Sequence, residues 1–382
     1  VIATTSAVLL LREKNTLDLD QPVTDWVPLP GFASLTLRHL LTHTSGLPAY
    51  LPLWKEVDNL DDATERIAAC ERSWAPGTRR RYSDLGFILL GNIVARAARK
   101  PLDAFCMENI FAPLEMRDTT FNPGEDLGKR CAATEDDPAR GGVLIGRVHD
   151  ENAHALGGVA GHAGLFSTAA DLAKFSRALL EEKLLSQETL DEVTKIGQVA
   201  TYPWQGLGWK MDPWMSGVEG FLPSRAAMGH TGFTGTSIWI DRKNDLFSIL
   251  LSNTCHPTRA TRDNKSLRRV FHVGAAAQHA GPTVNVHTGL DRLLWNNFSP
   301  LRGKRIALLT HTPAIDQLGR PVLDVFALAP EVKVRRVFSP EHGFRGQAEA
   351  GEKVVSESGA LPVISLYGER KFPTQEELAD ID

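Results

Sequence analysis

The chain has 382 residues, a formal net charge of −4 and a pI of about 6.3, with 42% hydrophobic and 23% charged residues, a balance ordinary for a soluble globular chain. It lacks the basic footprint of a nucleic-acid partner, and no run approaches the roughly 18 apolar residues that would predict a membrane span. The four cysteines, Cys70, Cys106, Cys131 and Cys255, are scattered with no C-x-x-C. That argues against a zinc or disulfide framework and predicts buried thiols. The length predicts two or three domains.

In chain order, Val1 to Leu11 is apolar and helical in composition, with no N-cap signal ahead of it. The chain is therefore expected to open inside a helix. Leu85 to Arg96 reads as a buried helix capped by Ser83 or Asp84. Thr168-Ala169-Ala170-Asp171 reads as a capping box opening a helix over 172–180. Near residue 240 the period changes. Thr236 to Asp241 and Leu246 to Leu251 read as strands, with Arg242-Lys243-Asn244-Asp245 as the hairpin loop. One more helix is predicted over 266–279. These elements suit an α+β domain over 1–280, an antiparallel sheet packed between helical layers. Gly281 to His287 breaks the pattern and reads as a linker. Beyond it, over 288–382, strands are predicted at 305–310, 332–338 and 361–367, with a helix at 322–329. Strand, helix, strand begins a parallel, Rossmann-like α/β sheet. A further strand is expected after Asp382, so this second domain is expected to be partial.

Three short motifs stand out in the first domain. They are Leu40-Leu41-Thr42-His43-Thr44-Ser45-Gly46-Leu47, Tyr82-Ser83-Asp84-Leu85-Gly86, and His230-Thr231-Gly232 before the strand pair. Taken in this order, they resemble the group of class C β-lactamases, penicillin-binding proteins and family VIII esterases. The resemblance implies a β-lactamase/transpeptidase-like fold and acyl hydrolysis by a serine. In that group a Ser-x-x-Lys at the start of a helix carries the nucleophile. No Ser, Thr or Cys of this chain has a Lys three residues on. The nucleophile is therefore expected immediately upstream of Val1, and the chain itself is expected to be inactive in acyl transfer.

A serine hydroxyl needs a base to take its proton, and the resemblance gives Tyr82 that task together with the Lys. Tyr82 precedes a helix N-terminus, whose dipole favours phenolate modestly. Alone it would read as an ordinary tyrosine; the three-motif set makes it catalytic. His230, Thr231 and Gly232 would line the site. His is neutral or cationic near pH 7 and grips a carboxylate less firmly than the Lys usual in lactamases. That tilts the resemblance toward an esterase or peptidase. Gly232 lets the substrate backbone come close, and the N–H of Phe233 is expected as an oxyanion donor. Asp84 stands where the group commonly has Asn and can only accept hydrogen bonds; it is expected to cap the helix or else to touch substrate. His43 is expected to hold loop backbone in place. Gly157 to Leu165 is glycine-dense without the phosphate-loop pattern. In the group such a segment borders the site, which makes His162 a rim residue.

Residues 288–382 resemble the N-terminal part of NamZ-type peptidoglycan exo-β-N-acetylmuramidases. The carrying residues are Thr288-Gly289-Leu290-Asp291, Leu301-Arg302-Gly303-Lys304-Arg305, Phe338-Ser339-Pro340-Glu341-His342-Gly343-Phe344-Arg345-Gly346 and Leu366-Tyr367-Gly368. The Ser-Pro-Glu-His-Gly run falls at the carboxyl end of a predicted parallel strand, where open α/β sheets place their ligands. Glycoside hydrolysis needs a general acid. The resemblance gives Glu341 that role, unless it caps the next helix, with His342 beside it to orient it or to bind sugar. Thr310-His311-Thr312-Pro313-Ala314 departs from the Thr-Asn-x-Thr-Gly frequent in that family. The expected whole is a cell-wall hydrolase, periplasmic or secreted in a bacterium. It would act on a peptidoglycan fragment or a small acyl ester or peptide, with no cofactor and no metal. Two rivals stay open: a binding protein that kept the pocket without the nucleophile, and an enzyme active only through its glycosidase domain.

Overall fold

The opening helix, α1, begins at Thr4 and runs to Glu13 in the computed structural model, not at Val1 as the apolar run suggests. No side chain caps it, and Ala3 at the N-cap position is already in helical geometry. The description covers residues 1–195, 205–211, 227–261, 267, 268, 270–272, 274 and 275 of a first unit, Val1–Gly281. In a second unit, Pro282–Asp382, it covers 288–296, 298–310, 314, 316, 320–329, 331–339, 361–366 and 372–382.

The core of the first unit forms around α1 and two later helices, α2 (Leu37–Leu41) and α3 (Asp84–Ala98). α3 is buried from Leu85 to Val94, as its unbroken apolar run requires. Each fully buried Leu or Ile there contributes about 1.5–3 kcal/mol. Its N-terminus corrects the expected cap. Ser83 holds the N-cap position, but neither its side chain nor that of Asp84 caps the helix. The Ser83 hydroxyl is drawn instead to the Pro48 carbonyl at 2.6 Å. Further on come the short α4 (Glu151–Ala155) and α5 (Ala169–Leu180). Thr168 caps α5 through the Asp171 N–H, but the capping box is not closed. The Asp171 carboxylate accepts instead from the Asp118 N–H and the Thr119 hydroxyl.

The sheet is antiparallel, β1 (Ala227–Thr231), β2 (Ser237–Asp241) and β3 (Leu246–Leu250), in that order. The predicted hairpin joins β2 to β3, and α5 lies against both. Gly229 pairs with Trp239, and a Cβ on Gly229 would lie 2.3 Å from the fully buried indole. Of the four free thiols, Cys106 and Cys255 are buried, while Cys70 and Cys131 are only half-buried. Burial pushes the Cys106 thiol up to about 12.

In the second unit, β4 (Arg305–Leu309), β5 (Lys333–Ser339) and β6 (Val363–Ser365) are parallel, with β5 between the other two. Helix α6 (Val322–Ala327) lies between β4 and β5 in sequence and supplies Val325 and Phe326 to a small core with Phe298, Ile306 and Val332. This is compatible with the Rossmann-like reading.

Candidate active site

The Leu40–Leu47 motif is a mould for the segment around Tyr82. After α2 the chain turns at His43, which is buried and left-handed at φ 57°. Its Nδ1 accepts the Ser83 N–H at 3.2 Å, and its carbonyl accepts the Arg81 N–H at 2.9 Å. The Asp84 N–H donates to Ala49 O at 2.9 Å. Both flanks of Tyr82 are thereby fixed. Gly46 makes the turn possible: its φ is +80°, and a Cβ would lie 2.3 Å from the Trp74 carbonyl oxygen.

A strand group of side chains meets Tyr82. The Tyr82 ring lies on His43 with centroids 4.5 Å apart, and the His230 ring is 6.1 Å away. Lys210 Nζ is 6.0 Å from the Tyr82 centroid and 3.4 Å from Thr231 Oγ1. Backbone bonds place that lysine: its N–H and C=O both pair with Gly229 along the edge of β1. Burial, then Arg80 and Lys210, hold His43 well below the usual histidine range; burial and Lys210 do the same to His230. Both are neutral at pH 7. A neutral His230 with Nδ1 at 3.0 Å from Thr231 O donates there, which leaves Nε2 to accept a proton. Thr4, the first residue of α1, donates through Oγ1 to Gly161 O at 2.7 Å, next to His162. The N-terminal end of α1 is therefore at the site.

A loop group meets Tyr82 as well. Asp84, in the first turn of α3, is half-buried. Burial raises its carboxyl pKa; His162 opposes the rise and Asp150 reinforces it. Asp150 accepts from His162 Nε2 at 2.8 Å and caps α4 through the Ala153 N–H. These bonds, His162 first, outweigh burial and keep it ionised. The His162 ring is 3% exposed. Its loop is pressed onto the helices: Thr4 Oγ1 donates to Gly161 O at 2.7 Å, and a Cβ on Gly161 would lie 1.8 Å from Phe87 O. Tyr82 is 41% exposed. Burial, then Asp84 and Asp150, push its pKa up against Arg80. The helix dipole does not offset these effects, and a cation at the oxygen would favour the phenolate.

Phe233 joins the two groups. Its ring, 53% exposed, stacks on His149 at 5.5 Å and lies 5.7 Å from the Arg259 guanidinium. Glu135 holds both partners, accepting from His149 Nε2 at 2.8 Å and Arg259 Nε at 2.6 Å. Burial would raise its carboxyl, but Arg259 and His149 bring it down to about 2. Arg259 also reaches Glu151 at 2.9 Å. Three consecutive residues, His149, Asp150 and Glu151, thus serve Phe233, His162 and Arg259. Sequence reasoning missed them, as it missed Lys210 and Glu135, because none lies in a motif or an amphipathic run. No group of metal-ligating side chains occurs among the described residues. In the second unit, Glu341, His342 and the Thr310–Ala314 loop from 311 to 313 lie outside the described residues.

This geometry sits in a chain whose residues 2–271 match the β-lactamase family; the chain belongs to that family. Residues 306–382 match the N-terminal domain of the exo-β-N-acetylmuramidase NamZ. The chain thus joins a domain of the β-lactamase and penicillin-binding family to a NamZ N-terminal domain, and its relatives are peptidoglycan-related. One relative is an N-acetylmuramyl-L-alanine amidase of Bacillus subtilis (strain 168), 34% identical over 66% of this chain and 66% of its own. Another is a candidate D-alanyl-D-alanine carboxypeptidase of Escherichia coli (strain K12), 32% identical over 66% of this chain and 67% of its own. The chain spans about two thirds of the length of these curated relatives. In fold it is similar to a β-lactamase/D-alanine carboxypeptidase from Yersinia pestis complexed with citrate, with a TM-score of 0.56 at 21% identity over 73% of this chain and 82% of that one.

Proposed function

We propose that the first unit is the acyl-hydrolase half of a cell-wall enzyme, an esterase or peptidase acting on the peptide part of a peptidoglycan fragment. One observation carries this: Tyr82, His230, Thr231 and Lys210 converge where the N-terminal end of α1 arrives. A Ser-x-x-Lys placed just before Val1 would bring its Lys to the Tyr82 hydroxyl. That cation would lower the phenol's pKa and let it take the serine proton. The Phe233 N–H would then donate to the oxyanion. A neutral His230 supports a peptidase or esterase over a lactamase, and the amidase and carboxypeptidase relatives support a peptidoglycan substrate in the bacterial envelope or outside it. In the second unit Glu341, with His342, would be the general acid of an amino-sugar glycosidase.

The test is hydrolysis of an acyl-ester chromogen and of a D-alanyl-D-alanine peptide by a protein extended upstream through the reading frame. Turnover that Tyr82→Phe lowers by about 100-fold or more supports the reading. A folded extended protein without turnover favours a binding protein. The 382-residue chain itself is expected to give no serine labelled by fluorophosphonate in its intact mass.

A further inference from the structure

Arg268 is outside every motif, yet its side chain is 6% exposed and bound to the turn that follows β1. Its Nη2 donates to Gly232 O at 2.7 Å and to Thr236 O at 2.9 Å, and its Nε donates to Gly235 O at 3.2 Å. A buried guanidinium shared among three carbonyls of one turn is a rigid fork. Four residues on, His272 is fully buried between Ser237 Oγ at 2.7 Å and Ser248 Oγ at 2.6 Å. The segment carrying Arg268 is therefore also tied to β2 and β3.

The consequence lies in the Gly232–Phe233 peptide. In a trans peptide the C=O and the next N–H point in opposite directions. Gly232 turns its N–H to Thr236 O at 2.8 Å and its C=O to Arg268, both toward β2. The Phe233 N–H therefore points away from β2. Along an extended strand such groups alternate edges with a period of two. Gly229 bonds Lys210 on the edge opposite β2; β1 ends at Thr231, and the Gly232–Phe233 peptide opens the following turn with its N–H turned away from β2, toward that same edge. It is the edge from which Lys210 reaches Thr231 and the Tyr82 ring.

We infer that Arg268 is a positioning residue: by holding the Gly232 carbonyl it aims the Phe233 N–H at the site where a substrate carbonyl oxygen gains charge. This rests on the acyl-transfer reading of the first unit. Without the arginine, the Gly232 carbonyl keeps only the long turn bond from the Gly235 N–H at 3.3 Å, and the peptide after Gly232 loses its firmest hold although the strand remains. Arg268 itself touches no substrate.

The experiment uses the 382-residue protein labelled with 15N-phenylalanine, the Phe233 resonance being assigned with Phe233→Leu. N-acetyl-D-alanine is the probe, its carboxylate oxygen standing in for the oxyanion. In the wild type the Phe233 amide shift is expected to move on saturation. In Arg268→Ala that displacement is expected to fall below about half, and tens of millimolar guanidinium to restore it. Arg268→Lys, which keeps the charge and the fold but cannot span three carbonyls, is expected to fall between. An undiminished displacement in both variants, or a loss that guanidinium does not repair, overturns the inference and leaves the acyl-transfer reading standing. A wild-type Phe233 resonance that does not respond to the probe overturns both.

Discussion

The strand group and the loop group that meet at Tyr82 are built by different rules. His230, Thr231 and Phe233 come from one strand and its turn, so the ladder spaces them. Their partner Lys210 is added by backbone pairing to Gly229. Asp84, Asp150 and His162 come from three separate stretches, joined by a close backbone approach at Gly161 and by the Asp150–His162 bond. The charge differs too. The strand group holds a lysine and a neutral histidine, the loop group two carboxylates. A strand tolerates side-chain change because its backbone sets the spacing. The loop group depends on a few atoms that have no room to move.

The most damaging change should therefore fall on the loop group. Gly161→Ala would drive a Cβ into Phe87 O and the Gly91 backbone. It is expected to cost about 3 kcal/mol, at the upper end for overpacking, as read in a denaturant melt. An Ala variant as stable as the wild type would remove the close approach as the reason for the loop's position.

Acid should separate the two groups. His272, which ties β2 to β3, is lowered by burial and then by Arg268 to about 4. Its contribution is full above the unfolded value of 6.5 and is lost as pH falls from there toward 4, roughly 2–3 kcal/mol. Glu135, which braces Phe233 through His149 and Arg259, is held at about 2. Its contribution is full above 4.5 and is lost only as pH falls from 4.5 toward 2. Amide exchange measured against pH should thus show β2 and β3 loosening before the His149–Glu151 segment. The reverse order would contradict the assignment.

Glu135→Gln is expected to destabilise by about 2 kcal/mol, because it leaves His149 without its anion and a partly buried Arg259 with Glu151 alone. The smallest effect has the opposite sign. Asp84 carries a raised pKa, so its ionised form is disfavoured in the folded protein. Asp84→Asn mimics the protonated form and is expected to stabilise at pH 7 by less than about 1 kcal/mol, as read by thermal melting. A loss of stability would show that the carboxylate has a partner worth more than its repulsion from Asp150.

Much of the architecture was legible in the sequence. The hairpin around Arg242–Asp245, the buried helix from Leu85 and the three parallel strands of the second unit follow from local periodicity and turn chemistry. Misreadings cluster at helix ends. An apolar run shows that Val1 to Leu11 is helical, but not where the first hydrogen bond closes. A Ser followed by an Asp signals an N-cap, but not that Pro48 O will capture the Ser83 hydroxyl. Thr168 caps as expected, yet Asp171 is taken by Asp118 and Thr119, partners some fifty residues away in sequence that no local pattern could reveal.

The sequence by itself determined the family and the named candidates, Tyr82, Asp84, His162, His230 and Phe233, because motifs and repeat periods are written in neighbouring residues. Only the tertiary structure decided their chemical states and their company. Lys210, Arg268, Glu135 and the His149–Glu151 segment enter through long-range packing. With them come a Tyr82 that resists ionisation and two histidines that stay neutral. Ionisation depends on burial and on which charges lie within a few ångströms, and folding sets both by joining residues that the chain keeps far apart.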